Sequence, residues 1–245
     1  MGKIDLKSGF VNLVGVPKSG KSTLINKLVG KKISIVSHKV QTTRFCIRGI
    51  CNFHLPNKLK SQIIFVDTPG IFLPKRRLEK AMVTAAWSEL NLTDKVVFIH
   101  DVLKKIDNNT REIIEKIFQI KSDVILVLNK IDLLPKEVLL KKISEIKNLY
   151  NFEETFLISA KNGSGCNKLI KYLAKKMPSH SFFYDENTIS DLPQSILASE
   201  ITREKLTKNL NQELPYNLTV ETEKWVINTD ESINIQQTIY INKLS

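Results

Sequence analysis

The sequence predicts an α/β fold in which a mainly parallel sheet is flanked by helices. Up to about residue 177, short apolar runs of strand length alternate with amphipathic helical segments. A glycine-rich loop joins the first of these strands to the first helix, and polar motifs follow several later strands. Because parallel sheets bind ligands beyond the carboxyl ends of their strands, these motifs are expected to meet at one edge of the sheet. After about residue 193 the pattern becomes one helix and two alternating strands, which predicts a small α+β module.

Composition restricts the class of protein. The 245 residues are 42% apolar with a formal net charge of +12, which fits a globular protein with a real core. No apolar run reaches the roughly 18 residues of a membrane span, and residues 1–7 lack a signal segment, so we expect no export. Three cysteines without a C-x-x-C pair predict neither a disulfide framework nor a zinc site, and favour a reducing cytosol. The positive charge indicates RNA or an anionic membrane surface as a partner, unless it is only a compositional bias.

The most informative stretch is the glycine-rich loop. It matches G-x-x-x-x-G-K-[ST] and lies between the strand 10–14 and the helix 23–28, as that motif requires. Its amide N–H groups and the following helix N-terminus are predicted to bind phosphate oxygens. Lys21 adds a charge for the β- and γ-phosphates, and Ser22 offers a hydroxyl to Mg²⁺; an ordinary glycine turn is the alternative. The predicted phosphate-binding residues of this loop are Gly15, Val16, Pro17, Lys18, Ser19, Gly20, Lys21, Ser22 and Thr23.

A second motif, Asp67-Thr68-Pro69-Gly70, ends the strand 61–67. It fits the D-x-x-G pattern of P-loop nucleotidases, in which Asp67 holds Mg²⁺ through water and the Gly70 N–H meets the γ-phosphate. Thr42 and Thr43 lie in the loop after the first helix, and we prefer Thr43 as the hydroxyl that completes the Mg²⁺ shell when γ-phosphate is present. The Mg²⁺ ligands are therefore predicted to be Ser22, Thr43 and Asp67.

A third motif, Asn129-Lys130-Ile131-Asp132, follows a buried strand and fits N-K-x-D. The Asp132 carboxylate can accept from the N1–H and the exocyclic amine of guanine, a pair of donors that adenine lacks. Since an unpaired buried acceptor costs roughly 1–3 kcal/mol, this residue is predicted to select guanine. After the next strand, a backbone N–H is expected to reach the guanine oxygen. The predicted guanine-binding residues are Asn129, Lys130, Asp132, Ser159, Ala160 and Lys161.

The remaining chain is assigned from its periodicity. Further strands are predicted at 45–53, 95–99, 123–128 and 154–158, and helices at 81–90, 110–118, 136–149 and 166–177. The strands 45–53 and 61–67 can form a hairpin. A linker at 178–193 leads to a helix at 194–210 and strands at 218–226 and 233–241. On that helix, the residues expected to face solvent are Glu200, Arg203, Glu204 and Lys205.

With these motifs in place, the chain resembles the Era family, Ras-like bacterial GTPases of the TrmE-Era-EngA group. The resemblance rests on the nucleotide motifs and on two more specific strings, at 37–44 (S-H-K-V-Q-T-T-R) and 198–206 (A-S-E-I-T-R-E-K-L). It implies GTP and GDP as ligands with Mg²⁺, and a catalytic set of Lys21, Thr43, Gly70 and Ile71. It also implies a nucleotide-sensing switch I, formed by Gln41, Thr42, Thr43 and Arg44.

The resemblance further implies a cytoplasmic monomer that binds 16S ribosomal RNA and assists assembly of the 30S subunit, with peripheral association at the inner face of the cell membrane. The domains would be a GTPase domain at 1–177, a linker at 178–193 and a type II KH-like domain at 194–245. No glycine follows Gly165, so we expect this KH-like domain to be incomplete and to lack the G-x-x-G loop that clamps RNA backbone. The alternative function is a nucleotide-binding module with impaired RNA recognition.

Hydrolysis is expected to be slow. Ile71 follows the D-T-P-G glycine, where Ras-like enzymes that orient water with a side chain carry Gln, and Ile cannot form a hydrogen bond. A backbone group, a K⁺ ion or a partner would have to supply that function. Three alternatives are a binding module with negligible turnover, a tRNA-modifying or ribosome-anchoring relative, and a degraded gene product. The E-L-P-Y string at 213–216 argues against the second.

Overall fold

The computed structural model describes residues 5–36, 46–56, 59–68, 77–210 and 218–241, with the backbone alone for 77–82 and 85. The strands of its main sheet are β1 (Asp5–Val14), β2 (Ile47–His54), β3 (Leu59–Asp67), β4 (Lys95–Asp101), β5 (Val124–Asn129) and β6 (Glu154–Ile158). They form a sheet of order β2-β3-β1-β4-β5-β6. All neighbours pair parallel except β2 and β3, which form an antiparallel hairpin. The predicted mainly parallel sheet and its hairpin are confirmed.

Four helices connect these strands and a fifth follows β6, and together they cover both faces of the sheet. They are α1 (Lys21–Val29), α2 (Arg77–Asn91), α3 (Asn108–Ile120), α4 (Lys136–Leu149) and α5 (Cys166–Lys176). Successive strand residues point to opposite faces, so Val97 packs in a core layer with α1 and α5, while Phe98 packs in a second layer with α2, α3 and α4. Burial on both faces explains why the central strands are continuous apolar runs rather than alternating ones.

The segment between α5 and the next helix packs along the hairpin. We call residues 183–191 the strap. Ile50 donates its N–H to the Ile189 carbonyl at 2.9 Å, and the Arg48 N–H donates to Asp191 Oδ1 at 3.1 Å. The Gln62 side chain accepts from the N–H groups of Phe183 and Tyr184 at 2.9 and 3.0 Å. The segment predicted as a linker therefore has fixed contacts with β2 and β3.

The C-terminal part contains α6 (Gln194–Asn209) and an antiparallel pair, β7 (Leu218–Ile227) and β8 (Ile233–Ile241). These elements were predicted, but the outward placement of three charged residues on α6 was wrong. Glu200, Arg203 and Glu204 are only 6%, 4% and 1% exposed, whereas Lys205 does face solvent. Arg203 pairs with Glu200 at 2.8 and 2.6 Å, and Glu204 has its own cationic partners, so each buried charge is compensated. Within the described ranges, no helix has the length and apolarity needed to cross a bilayer.

Candidate nucleotide-binding site

The glycine-rich loop connects β1 to α1 and is shaped by backbone conformations that favour glycine. Gly20 has φ +102°, and a Cβ there would lie 2.2 Å from Asn129 Nδ2. A Cβ on Gly15 would lie 2.4 Å from the Ile99 carbonyl oxygen. Larger residues would therefore force the loop away from the strands beside it. Lys18, with φ +68°, completes the turn.

Lys21 begins α1 and is 7% exposed. Its ammonium donates to the carbonyl oxygens of Gly15 at 2.9 Å and Val16 at 3.4 Å. Burial lowers the pKa of Lys21 to about 8, and the nearby Asp67 offsets part of that shift. A buried ammonium facing neutral carbonyls favours the arrival of an anion, because a phosphate would supply the charge that these partners lack.

Asp67 ends β3, next to Lys21, and is fully buried. Its Oδ2 accepts from the Ser34 hydroxyl at 2.6 Å. Ser34 lies in the segment after α1, and sequence reasoning assigned it no role, since a serine in a polar loop carries no periodic signal. The next residue, Thr68, is also buried and donates its hydroxyl to the Leu13 carbonyl at 3.2 Å.

These residues fit a magnesium ion. Mg²⁺ prefers oxygen ligands and binds through one or two carboxylates together with phosphate and water. The buried Asp67 carboxylate and the Ser22 hydroxyl, at the start of α1, are oxygen donors of that kind. The fit rests on the chemistry of these donors. A hard cation would neutralise the buried carboxylate of Asp67, and phosphates bound by the neighbouring glycine-rich loop would supply further oxygen ligands.

Asn129, at the end of β5, joins two loops. Its Nδ2 donates to the Ser19 carbonyl at 2.8 Å, and its Oδ1 accepts from the Ala160 N–H at 3.0 Å. The side chain is buried, so these bonds are shielded from water and leaving one unmade is costly. The glycine-rich loop and the loop after β6 are thereby held at a fixed separation.

The rest of the N-K-x-D motif turns outward. Lys130 has φ +69°, and its ammonium pairs with Asp101 Oδ2 at 2.6 Å. Asp132 lies in a single 3₁₀ turn, Ile131–Leu133, and is exposed. Its exposed carboxylate can therefore accept hydrogen bonds from a base bound at the edge of the sheet where Asn129 lies.

The loop after β6 contains Ser159, Ala160 and Lys161. The Ser159 backbone accepts from the Gly163 N–H at 2.8 Å and donates to the Ser164 carbonyl at 2.9 Å, which makes a tight turn. The Ala160 N–H donates to Asn129 Oδ1 at 3.0 Å. Lys161 is exposed beside it.

Several predicted site residues lie outside the described residues. They are Gln41, Thr42, Thr43, Arg44, Pro69, Gly70 and Ile71. Among described residues, the structure brings the glycine-rich loop, Asp67 and the two loops after β5 and β6 to the same edge of the sheet. Sequence reasoning also missed Asn26 on α1, whose amide holds the segment carrying Ser34.

Comparison with known proteins gives one family model and many relatives. Residues 10–130 match the model described as "50S ribosome-binding GTPase". The chain is 48% identical over 239 residues to GTPase Era of Brucella suis, a match covering 98% of this chain and 75% of that protein. Against GTPase Era of Rhizobium meliloti it is 48% identical over 242 residues, covering 99% and 76%.

Two solved structures are similar over nearly the whole chain. One is an Aquifex aeolicus Era variant bound to GDP and AlF₄⁻, and the other is Era in complex with MgGDPNP and nucleotides 1506–1542 of 16S ribosomal RNA. Each superposes with a TM-score of 0.89 at 35% identity, covering 97% of this chain and 80% of the solved one.

Proposed function

Because the chain belongs to the Era family of GTPases, we propose that it acts as a Mg²⁺-dependent, slowly hydrolysing guanine-nucleotide switch in small-subunit assembly. Family membership makes it a GTP-hydrolysing enzyme. The proposal adds the metal, the low rate, the residues and the biological step.

The Asn129 bridge carries the proposal. The Asn129 side chain bonds both the carbonyl of Ser19 and the N–H of Ala160. This fixed separation of the glycine-rich loop and the loop after β6 supports the binding of one nucleotide across both. In this arrangement Asp132 accepts from the guanine N1–H and amine, with Lys130 and the Ser159–Lys161 loop beside it. Because these loops are already held in place, little conformational entropy is lost in ordering them when the ligand binds.

The hydrolytic step is assigned to charge stabilisation. Lys21 and the loop amides stabilise negative charge on the transferred phosphoryl group while water attacks in line. Bound Mg²⁺ would be held by Ser22, Asp67 and Thr43 and would neutralise phosphate charge. Thr43 and Gly70 sense the γ-phosphate, and Ile71 leaves water activation to a backbone group, K⁺ or a partner.

The partner is proposed from charge and kinship together. A net charge of +12 favours a polyanion, and a solved relative holds a 16S ribosomal RNA fragment. We propose the 3′ region of small-subunit RNA, within the 30S particle, as the target of a monomeric cytoplasmic protein. The same charge would support peripheral contact with the inner face of the cell membrane.

Nucleotide selectivity tests the first part. Asp132→Asn should weaken GDP binding by about 5- to 150-fold, since roughly 1–3 kcal/mol of pairing is lost. The variant should gain affinity for xanthosine diphosphate, whose C2 carbonyl can accept from the new amide. Titration calorimetry with GDP, ADP and xanthosine diphosphate measures both. Glu137→Gln, an exposed change on α4, is the control, and equal binding of ADP and GDP by the wild type would refute the proposal.

RNA binding tests the second part. For the 3′ region of 16S RNA, the logarithm of the binding constant should fall linearly with the logarithm of salt concentration. Binding should also depend on whether GDP or a non-hydrolysable GTP analogue is present. If an unrelated RNA of equal length binds equally well in both states, the alternative of a nucleotide module with impaired RNA recognition is supported instead.

A further inference from the structure

Glu204 is a buried carboxylate on the C-terminal helix α6 whose partners belong partly to the GTPase domain. It is 1% exposed. Its Oε1 accepts from the Val36 N–H at 3.3 Å and from Lys208 at 2.7 Å, and its Oε2 pairs with Lys32. Burial alone would raise the pKa of Glu204, but the pairing with Lys208 and Lys32 and the Val36 N–H holds that pKa below its usual value. Glu204 is therefore ionised, and its contacts with Lys32 and Val36 hold residues 32–36 against α6.

The clamped segment is held on its other side by α1. Asn26 Oδ1 accepts from the N–H groups of Ile33 and Ser34, both at 2.9 Å, and Asn26 Nδ2 donates to the Ser34 carbonyl at 2.7 Å. Ile33 and Ile35 are each 1% exposed. With its backbone bonded and two side chains buried in the core, the segment has little freedom to shift without breaking one of these contacts.

Ser34 passes this constraint to the proposed metal site. Its hydroxyl donates to Asp67 Oδ2 at 2.6 Å, a short bond to a charged acceptor. A carboxylate has about four acceptor positions, so the bond from Ser34 orients the group and is compatible with a further bond from a metal-bound water. Groups that orient a metal's carboxylate typically change metal affinity by 10–100-fold when removed.

We propose that Glu204 is a positioning residue for Mg²⁺: through residues 32–36 and Ser34 it orients Asp67, so that docking of α6 and binding of Mg²⁺–nucleotide favour each other. The inference rests on the proposed function, because it assumes that Asp67 serves the metal. Such coupling is reciprocal: if α6 docking strengthens Mg²⁺ binding, Mg²⁺–nucleotide must stabilise α6 docking by the same factor. A change in the docking of α6 would thereby alter Mg²⁺–nucleotide binding, although α6 itself would not contact the nucleotide.

The first test is a Mg²⁺ titration of GDP dissociation. Release of a fluorescent GDP analogue is followed for the wild type, Ser34→Ala, Glu204→Gln and the double variant. We expect Ser34→Ala to raise the Mg²⁺ concentration for half-maximal retention about tenfold, and Glu204→Gln about threefold. The double variant should match Ser34→Ala alone, because both changes break one chain of contacts. Lys205→Gln, an exposed change on the same helix, should match the wild type.

The second test uses hydrogen exchange of the α6 amides with and without Mg²⁺–GDP. In the wild type we expect slower exchange when Mg²⁺–GDP is bound, and in Ser34→Ala we expect that difference to disappear. A purely structural Glu204 would lower thermal stability while the Mg²⁺ midpoint stayed that of the wild type.

Three outcomes overturn the inference. The Mg²⁺ midpoint of Glu204→Gln could equal that of the wild type, or the two single effects could add in the double variant. In both cases the proposed function stands, since the wild type still binds GDP with Mg²⁺. If the wild type itself retains GDP equally well without Mg²⁺, the proposed function loses its metal and the inference fails with it.

Discussion

The main sheet and the β7–β8 pair are both built from strands, and they are held to their helices in different ways. Phe98 in β4 is 1% exposed, packed in the layer that α2, α3 and α4 cover. In the pair, Ile227 is 67% exposed and Ile235 44%. The contact of the pair with α6 includes a polar cluster centred on Thr222, which bonds the Ser195 carbonyl and the side chains of Ser199 and Gln237.

The two regions therefore draw their stability from different sources. Burying apolar surface contributes about 25 cal/mol per Å², whereas a hydrogen bond contributes a net ~0.5–1.5 kcal/mol. The GTPase domain should therefore unfold as one strong unit, while the β7–β8 pair should open locally at lower free energy.

Truncating the core of the main sheet should have the largest effect. Phe98→Ala should lower the free energy of unfolding by about 3–5 kcal/mol, from lost apolar burial and the cavity left behind. Urea denaturation followed by circular dichroism measures it. The matched change in the pair, Ile235→Ala, should cost far less because that side chain is already 44% exposed. Equal losses at the two positions would contradict the contrast.

Removing the hydroxyl at the centre of the polar cluster should have a smaller and local effect. Thr222→Val keeps the shape but leaves the Ser195 carbonyl and its neighbours without that partner, for about 1–2 kcal/mol. Amide exchange should speed up in β7 and β8, with GDP affinity unchanged. If the amides of β4 and β5 lost protection equally, the two regions would be one cooperative unit.

We expect nucleotide binding to depend on pH through Lys21, a residue beside the main sheet, and not through the β7–β8 pair. The pKa of Lys21 is lowered to about 8 by burial, and a bound phosphate favours the protonated ammonium and raises that pKa. GDP affinity should therefore fall above pH 8, by at most about tenfold per pH unit. Lys21→Met should bind weakly with a flat profile, and a wild-type affinity constant from pH 7.5 to 9.5 would contradict the assignment.

The lowered pKa of Lys21 also affects stability, and in the opposite direction: the free energy of unfolding should rise with pH where GDP affinity falls. The unfolded chain holds its Lys21 proton up to the ordinary value of 10.5, whereas the folded chain releases it near 8. Between these values the unfolded state binds more protons, so this contribution to the free energy of unfolding rises with pH. Below pH 8 the buried charge imposes its full cost on the free protein.

The smallest effect is expected at the surface of the strap. Lys60 and Glu186 pair at 2.9 Å, but both remain substantially exposed to solvent. Exposed ion pairs add little to stability, so Lys60→Gln should leave the urea midpoint unchanged. A clear loss of stability would mean that the strap depends on its charges rather than on its backbone bonds with β2.

The sequence allowed most of the main sheet to be predicted, because its strands are apolar runs and its ligand loops carry spaced motifs. What it could not provide were contacts between distant segments. The strap has no periodic pattern, and its pairing with Ile50 joins residues far apart in the chain. Glu204 was placed outside because charged residues usually are, and only the fold brings Lys32 and Val36 to it.

The site divides in the same way. Lys21, Asp67, Asn129 and Asp132 could be proposed from the sequence because each belongs to a motif with a fixed spacing. Ser34 and Asn26 belong to no such pattern. Their role depends on how the segment after α1 is placed, because Asn26 holds that segment and Ser34 contacts Asp67 at the end of β3. Motifs thus identified the groups that would touch the ligand, and the structure was needed for those that orient them.

The bonds between the strap and β2 have a consequence for solubility. Among the described strands, β2 is the outermost on its side of the sheet. An uncovered outer strand offers N–H and C=O groups to which another molecule can add a strand. A shortened protein ending at residue 177 would lose that cover, although every nucleotide motif would be retained. It should self-associate during expression, whereas a version extended through residue 193 should stay dispersed, as sedimentation of the two would reveal.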